Sequence, residues 1–392
     1  MPVNCNGINS GLIRRGKAED VPTISLDELM KITRNISNGA LIGESSQGRV
    51  FFRVLKYGPE AAFKSSQEID LKIESISRLK HGNVVQLLGY WVEGDEYILA
   101  YEYASGGTLH DILHSEVIGK QLHEPTNMPT GPISIHQAKL MARRKELANP
   151  RYADRGRRKI GAKSGAVLSW MQRVKIALSA AEGLEFLHQK AEPQVTHGNM
   201  MSSKILLFDN DTAKVGDVGI SNVLVSDTMY TCHSFRDVID EARMDGFGHN
   251  PDDYYVDLCA ATGQCNTKSD VYAFGVVLLE LLTGREAVDR TLPIGKQSLV
   301  TWVCTHGEVT PITWRYGFME ENISSKATFS EDKVQGCMDP WLEGHYPGNA
   351  VAKMGAIAML CVSYQPDLRP NMSTVVQGLR QLLHSEPCDL VA

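Results

Sequence analysis

The 392-residue sequence has no apolar run long enough to cross a membrane. The longest, Val271 to Leu282, is interrupted by Gly275 and Glu280, whereas a spanning helix needs about 20 apolar residues. No charged N-terminal segment precedes an apolar block, so no secretory leader is read there. The eight cysteines, at 5, 232, 259, 265, 304, 337, 361 and 388, form no C-x-x-C pair and no metal-ligand cadence. That pattern points to a reducing compartment and free thiols. With 43% hydrophobic and 22% charged residues, disordered and collagen-like classes are excluded, and the length suits one two-lobed domain or two to three small ones.

The charge is uneven. Lys139 to Lys163 holds ten Lys and Arg against Glu146 and Asp154, a local excess of +8 in a chain of net charge −6. Residues 115 to 165 also contain Pro125, Pro129, Pro132 and Pro150 with little apolar periodicity, and they read as a long irregular insertion. So dense a cationic stretch makes a strong field for nucleic acid or anionic lipid. Only Tyr152 interleaves aromatic surface, so nucleic acid is not expected; a solvated loop, or one folded back on the acidic remainder, is the favoured reading.

Residues 1 to 24 read as a loose tail. Ser25-Leu26-Asp27-Glu28 has the Ser-x-x-Glu spacing that starts a helix, placed near 26 to 34. From Leu41 to Tyr103 the composition favours strands (Val50 to Phe52, Val84 to Trp91, Tyr97 to Tyr103), broken by a helical stretch near 66 to 79. Leu168, Met171, Val174, Leu178, Ala181, Leu184 and Leu187 then recur at helical spacing, and further helices are expected near 269 to 283, 350 to 362 and 372 to 384.

Short motifs punctuate this frame. Ile42-Gly43-Glu44-Ser45-Ser46-Gln47-Gly48-Arg49-Val50 is a glycine-rich turn able to fold backbone N–H groups over phosphates. Ala61-Ala62-Phe63-Lys64 follows, then His197-Gly198-Asn199, Asp217-Val218-Gly219, Ser269 to Gly275, and Arg369-Pro370. The ordered set resembles the protein kinase domain, over roughly residues 36 to 386. Gln86 to Tyr90, Leu109 to His114, Leu206 to Phe208 and Gln297 to Trp302 are similar to plant receptor-like cytoplasmic kinases, of the Pto-interactor subgroup. The resemblance implies an α+β, two-lobed fold: a tail and short helix over 1–35, a β-rich N-lobe over about 36–104, the insertion at about 115–165, a helical C-lobe over about 166–386, and a tail from 387. Residues 115 to 165 and 305 to 328 are absent from the subgroup's usual pattern.

The resemblance also assigns roles. Val50, Ala62 and Leu206 match the apolar residues that sandwich adenine, and Tyr101-Glu102-Tyr103-Ala104 the hinge that reads its edge, Glu102 and Ala104 through backbone groups. Ile42, Gly43, Gly48 and Lys64 match the phosphate grip, with Ser45 where the family has a second glycine. Counting back from Leu79-Lys80-His81 puts Lys72 where a glutamate should pair with Lys64. Asp217 matches a metal ligand. The catalytic loop departs most: Asn199 stands at the proton-acceptor position, Met201 at the cation that stabilises the transferring phosphoryl, Gly198 at an arginine, and Lys204 at the asparagine that holds a second metal. Val256-Asp257-Leu258 replaces Ala-Pro-Glu, so Arg369 must pair with Asp257 or Asp253 or remain solvated. Phe235 stands at a subgroup threonine.

Phosphoryl transfer is largely positioning and charge stabilisation. Six altered polar positions (72, 198, 199, 201, 204 and 258) therefore point to a pseudokinase that binds ATP with one Mg²⁺, a scaffold for other kinases or receptor complexes. The alternative is a weakly active serine/threonine kinase, since Lys64 and Asp217 persist. A cytoplasmic location is implied, peripheral at the plasma membrane at most: Pro2 occupies the position N-myristoylation requires as glycine, and Cys5 offers a single acylation signal.

Overall fold

The computed structural model describes residues 21–25, 41–45, 48–54, 59–66, 73–93, 96–114, 167–208, 212–218, 266–289, 297–306, 336–363 and 365–383. The insertion, the helix expected near 26 to 34, Lys72, Phe235, Asp253 and Asp257 lie outside them.

Strands β1 (Leu41–Ser45), β2 (Gly48–Val54), β3 (Glu60–Ser66), β4 (Leu87–Glu93) and β5 (Glu96–Glu102) form an antiparallel sheet in the order β1-β2-β3-β5-β4. Aromatic and β-branched residues recur in β2, β4 and β5, the composition a pleated, half-buried surface accommodates. On β3, Ala61 and Phe63 pack with Ile24 and Ala100, so the period of two turns Ala62 and Lys64 to the opposite face. Register places Val50 across from Lys64, on that same face.

Three local expectations change. The helical stretch read from residue 66 begins later, because Ser66 still pairs with Tyr97 in the sheet; the described helix there is α1 (Ile73–Ser77). The strand read from Val84 begins at Leu87, since Val84 bridges Val215 in parallel and the Val85 N–H donates to Val215 O at 2.9 Å. That backbone joins the two lobes instead of the sheet. The tail is not loose throughout: the Ile24 N–H donates to Tyr90 O at 2.8 Å, the Tyr90 N–H donates to Pro22 O at 3.2 Å, and Val21 and Ile24 are buried. The segment covers β4, an edge strand whose free backbone groups need a partner.

The C-lobe is built from α2 (Leu109–His114), α3 (Trp170–Glu185, continuing as a π turn over Phe186–Lys190), α4 (Thr267–Thr283), α5 (Leu299–His306), α6 (Gly348–Cys361) and α7 (Met372–Leu382). A short hairpin, β6 (Ile205–Leu207) and β7 (Ala213–Val215), lies beside them. The helical periodicity finds α3, α4, α6 and α7 within a few residues. Ser169 and Gln172 form a capping box that starts α3. Gly183 lets α3 touch the chain ahead of β4, because a Cβ there would meet Asn83 O at 2.5 Å. Among the described residues no helix is long and apolar enough to cross a membrane. Cys304, Cys337 and Cys361 are free thiols, pushed by burial up to about 12, 11 and 12 respectively.

Two arginines anchor the lobe. Arg369 is not solvated: it is buried, its Nε donates to Ser363 O at 2.8 Å and its Nη1 to Lys268 O at 3.0 Å, and its guanidinium lies over the Tyr272 ring. Arg173, 1% exposed, donates to Leu168 O, to Leu281 O at 2.7 Å and to Asp339 Oδ2 at 2.6 Å. Removing one member of a buried pair costs about 3–5 kcal/mol because the other charge is left uncompensated. Arg173→Met should lower stability by that order in chemical denaturation. Arg173→Met combined with Asp339→Leu should recover part of the loss; a double variant no better than the single would show that the charge is not the cause.

Candidate nucleotide site

The site grows from the β6–β7 hairpin. Ile205 pairs with Val215 and Leu207 with Ala213, so the register continues to Lys204 opposite Gly216, where the Gly216 N–H donates to Lys204 O at 2.8 Å. Asp217 is the next residue and turns away at φ 59°. This places Lys204 Nζ 2.5 Å from Asp217 Oδ2. From the sheet, Lys64 Nζ reaches Asp217 Oδ1 at 3.0 Å. Both carboxylate oxygens thus carry an ammonium, one from each lobe.

Lys64 is 4% exposed, and Asp217 retains 23% of its side-chain surface. Burial pushes the Asp217 carboxyl up. The charges of Lys64 and Lys204, with the hydrogen bonds they donate, outweigh that effect and hold it well below the usual carboxylate range. The sequence sets Lys204 at the position of a second metal's ligand; the structure shows that it pairs with Asp217, the residue expected to hold the first.

The loop before the hairpin is fixed from α4. Asp270, 1% exposed, accepts the His197 N–H at 2.7 Å, the Gly198 N–H at 2.8 Å and a bond from His188 Nε2 at 2.8 Å. His197 is fully buried. Its Nε2 donates to Gly216 O at 2.9 Å and its Nδ1 accepts the Asn199 N–H at 3.3 Å, which sets the tautomer; burial pushes its pKa down. Gly198 has φ 75°, a conformation glycine adopts without strain. Asn199 is 3% exposed, and its Oδ1 has no hydrogen-bond partner among the described residues. A neutral amide at the proton-acceptor position takes no proton.

The hinge follows β5. Glu102 is tied by its side chain: both oxygens accept from Lys214 Nζ, at 2.8 and 2.7 Å, and Oε1 also accepts the Gln86 N–H at 2.8 Å. Beyond it, the Gly106 N–H donates to Leu207 O and the Leu207 N–H to Gly107 O, both at 2.9 Å. The chain between is held against β6. Ile42, Gly43 and Gly48 sit on the β1–β2 hairpin, where Gly43 pairs with Val50 and Ser45 with Gly48. Of the expected residues the structure joins Lys64, Lys204 and Asp217 by direct contact; that double contact and the Glu102–Lys214 pair were not read from sequence.

The Asp217 arrangement has a definite pH signature. A carboxyl depressed in the folded state stabilises the fold above its unfolded pKa of about 4, and this contribution fades as pH falls below that value. Asp217→Asn should therefore lower the melting temperature at pH 7, and the gap from the parent protein should narrow below about pH 4. A pH-independent gap would mean that the ion pairs contribute nothing.

A profile of the family described as protein tyrosine and serine/threonine kinase matches residues 33–379. The chain is 42% identical over 376 residues to PTI1-like tyrosine-protein kinase 3 of Arabidopsis thaliana, covering 93% of this chain and 74% of that protein. It is 40% identical over 374 residues to PTI1-like tyrosine-protein kinase 1 of the same plant, covering 93% of this chain and 83% of that protein. Among solved structures, the pseudokinase domain of BIR2, an immune regulator of the RLK/Pelle family, is similar in fold, with a TM-score of 0.59 at 24% identity over 94% of this chain and 93% of that one. A profile spanning both lobes, and relatives at this identity over nearly the whole chain, establish that the chain belongs to the protein tyrosine and serine/threonine kinase family.

Proposed function

We propose that this chain is a pseudokinase that holds ATP in its cleft with little need of Mg²⁺ and serves as a scaffold or allosteric partner of other kinases or receptor complexes. The double contact of Asp217 with Lys64 and Lys204 carries the reading. Family members supply Mg²⁺ to neutralise the phosphates and the charge that develops in transfer. Here Asp217 can serve one metal only by giving up an ammonium, and Lys204 repels a second. The residues therefore fit one Mg²⁺ at most.

The same two ammoniums fit phosphate oxygens, which Lys binds as a point charge. Val50, Ala62 and Leu206 would hold the base, with Glu102 and Ala104 offering backbone groups at its edge. Transfer is a different matter, because Asn199 accepts no proton and Met201 supplies no cation. Loss of general-base catalysis alone is worth about 10²- to 10⁴-fold in rate. Slow serine/threonine phosphorylation is the competing reading, favoured by the direct contact of Lys64 with Asp217.

Thermal shift separates these possibilities. ATP should raise the melting temperature to a similar extent with Mg²⁺ and with EDTA, and Lys204→Asn should restore metal dependence. No response to ATP would mean a closed cleft, and a response only with Mg²⁺ would mean that Lys204 stays away from the phosphates. In parallel, γ-labelled ATP should give no incorporation above a Lys64→Met control. Lys64-dependent labelling would establish the kinase reading.

A further inference from the structure

Away from the cleft, α2, the turn Ser202–Lys204 and α4 converge on a buried carboxylate. Glu280 on α4 is 3% exposed. His114 Nε2 lies 3.1 Å from its Oε1, and Ser202 Oγ donates to the same oxygen at 3.0 Å. Ser202 Oγ also stands 3.4 Å from His110 Nδ1. His110 and His114 are one turn apart on α2 and share a face, with ring centroids 4.9 Å apart. One ligand atom from each of His110, His114 and Glu280 falls within 4.8 Å of the other two.

The geometry points to a zinc site formed by His110, His114 and Glu280. Buried carboxylates are paired with cations or coordinate metals. Both hydrogen bonds to Glu280 fall on Oε1, and among the described residues no Lys or Arg pairs with it. Two imidazole nitrogens and one carboxylate oxygen are a donor set of open zinc sites, and the nitrogen donors disfavour Mg²⁺ and Ca²⁺. Zinc bonds of about 2.0–2.2 Å in a tetrahedron put neighbouring ligands about 3.3 Å apart. His114 and Glu280 are already near that spacing, and rotation of the His110 ring brings in the third ligand. Ser202 Oγ, touching both Glu280 and His110, borders the fourth position.

Bound zinc would tie together the end of α2, the root of α4 and the turn that carries Lys204 two residues beyond Ser202. The site stands independently of whether the cleft binds ATP.

The test uses the full chain, stripped of metal by a chelator and titrated with Co²⁺ as a spectroscopic stand-in. One equivalent should give the intense visible absorption of four-coordinate Co²⁺, and Zn²⁺ should displace it and raise the melting temperature. His110→Phe keeps the ring contact and His114→Gln keeps a donor to Glu280. Each should lose the absorption and weaken Zn²⁺ binding at least about tenfold, while melting as the parent does in chelator. If either variant fails to fold, X-ray absorption of the parent protein with one equivalent of Zn²⁺ decides, and should show two imidazoles in the first shell. The proposal is overturned by an absence of stoichiometric Co²⁺ binding, by a six-coordinate spectrum, by a shell without two imidazoles, or by binding unchanged in both variants. That last result would place the metal elsewhere on the chain.

Discussion

Asp270 holds the functional half of the molecule in place. Its carboxylate, 1% exposed on α4, collects two backbone N–H groups from the catalytic loop and one imidazole from the end of α3. Charge-assisted bonds of this kind are about twice as strong as neutral ones. Because two of the donors are backbone groups, the loop keeps its course whatever side chains it displays. That explains how Gly198, Asn199, Met201 and Lys204 can all depart from the family pattern while the hairpin beyond them still pairs in register. The fold and the chemistry are separable here because the scaffold is secured from behind.

Among the described residues the lobes meet through specific links. Val84 and Val85 join β7 through the backbone, Glu102 joins Lys214, and Lys64 joins Asp217. The last two are ion pairs that cross the cleft, and each involves a side chain with partial solvent access. At Asp217 burial disfavours the charged carboxylate, and the two ammoniums outweigh it.

Most of the architecture was legible. Apolar residues spaced by three and four mark α3, α4, α6 and α7, and runs of aromatic and β-branched residues mark β2, β4 and β5, because those patterns are the burial pattern itself. What escaped depends on partners distant in sequence. Val21 to Ser25 carry no strand signature, and their order comes from Tyr90 on an edge strand. Arg369 reads as needing an acid or solvent; among the described residues it is buried against backbone carbonyls and an aromatic face, and both candidate acids lie outside those residues. Glu280 lies 166 residues from His114, so no local spacing could join them. Lys204 and Asp217 came closest to being readable: once the β6–β7 register is known, their proximity follows, but the sequence alone does not supply that register.

Gly198 bears on which side chains the loop ahead of β6 can carry. At φ 75° it occupies a conformation in which a Cβ costs about 1–2 kcal/mol, and an arginine returned there would carry that cost until an acidic or phosphorylated partner repaid it. An arginine placed there alone would lower stability and leave Asn199 and Met201 as they are. The course of this loop therefore favours glycine at position 198 over any residue with a Cβ.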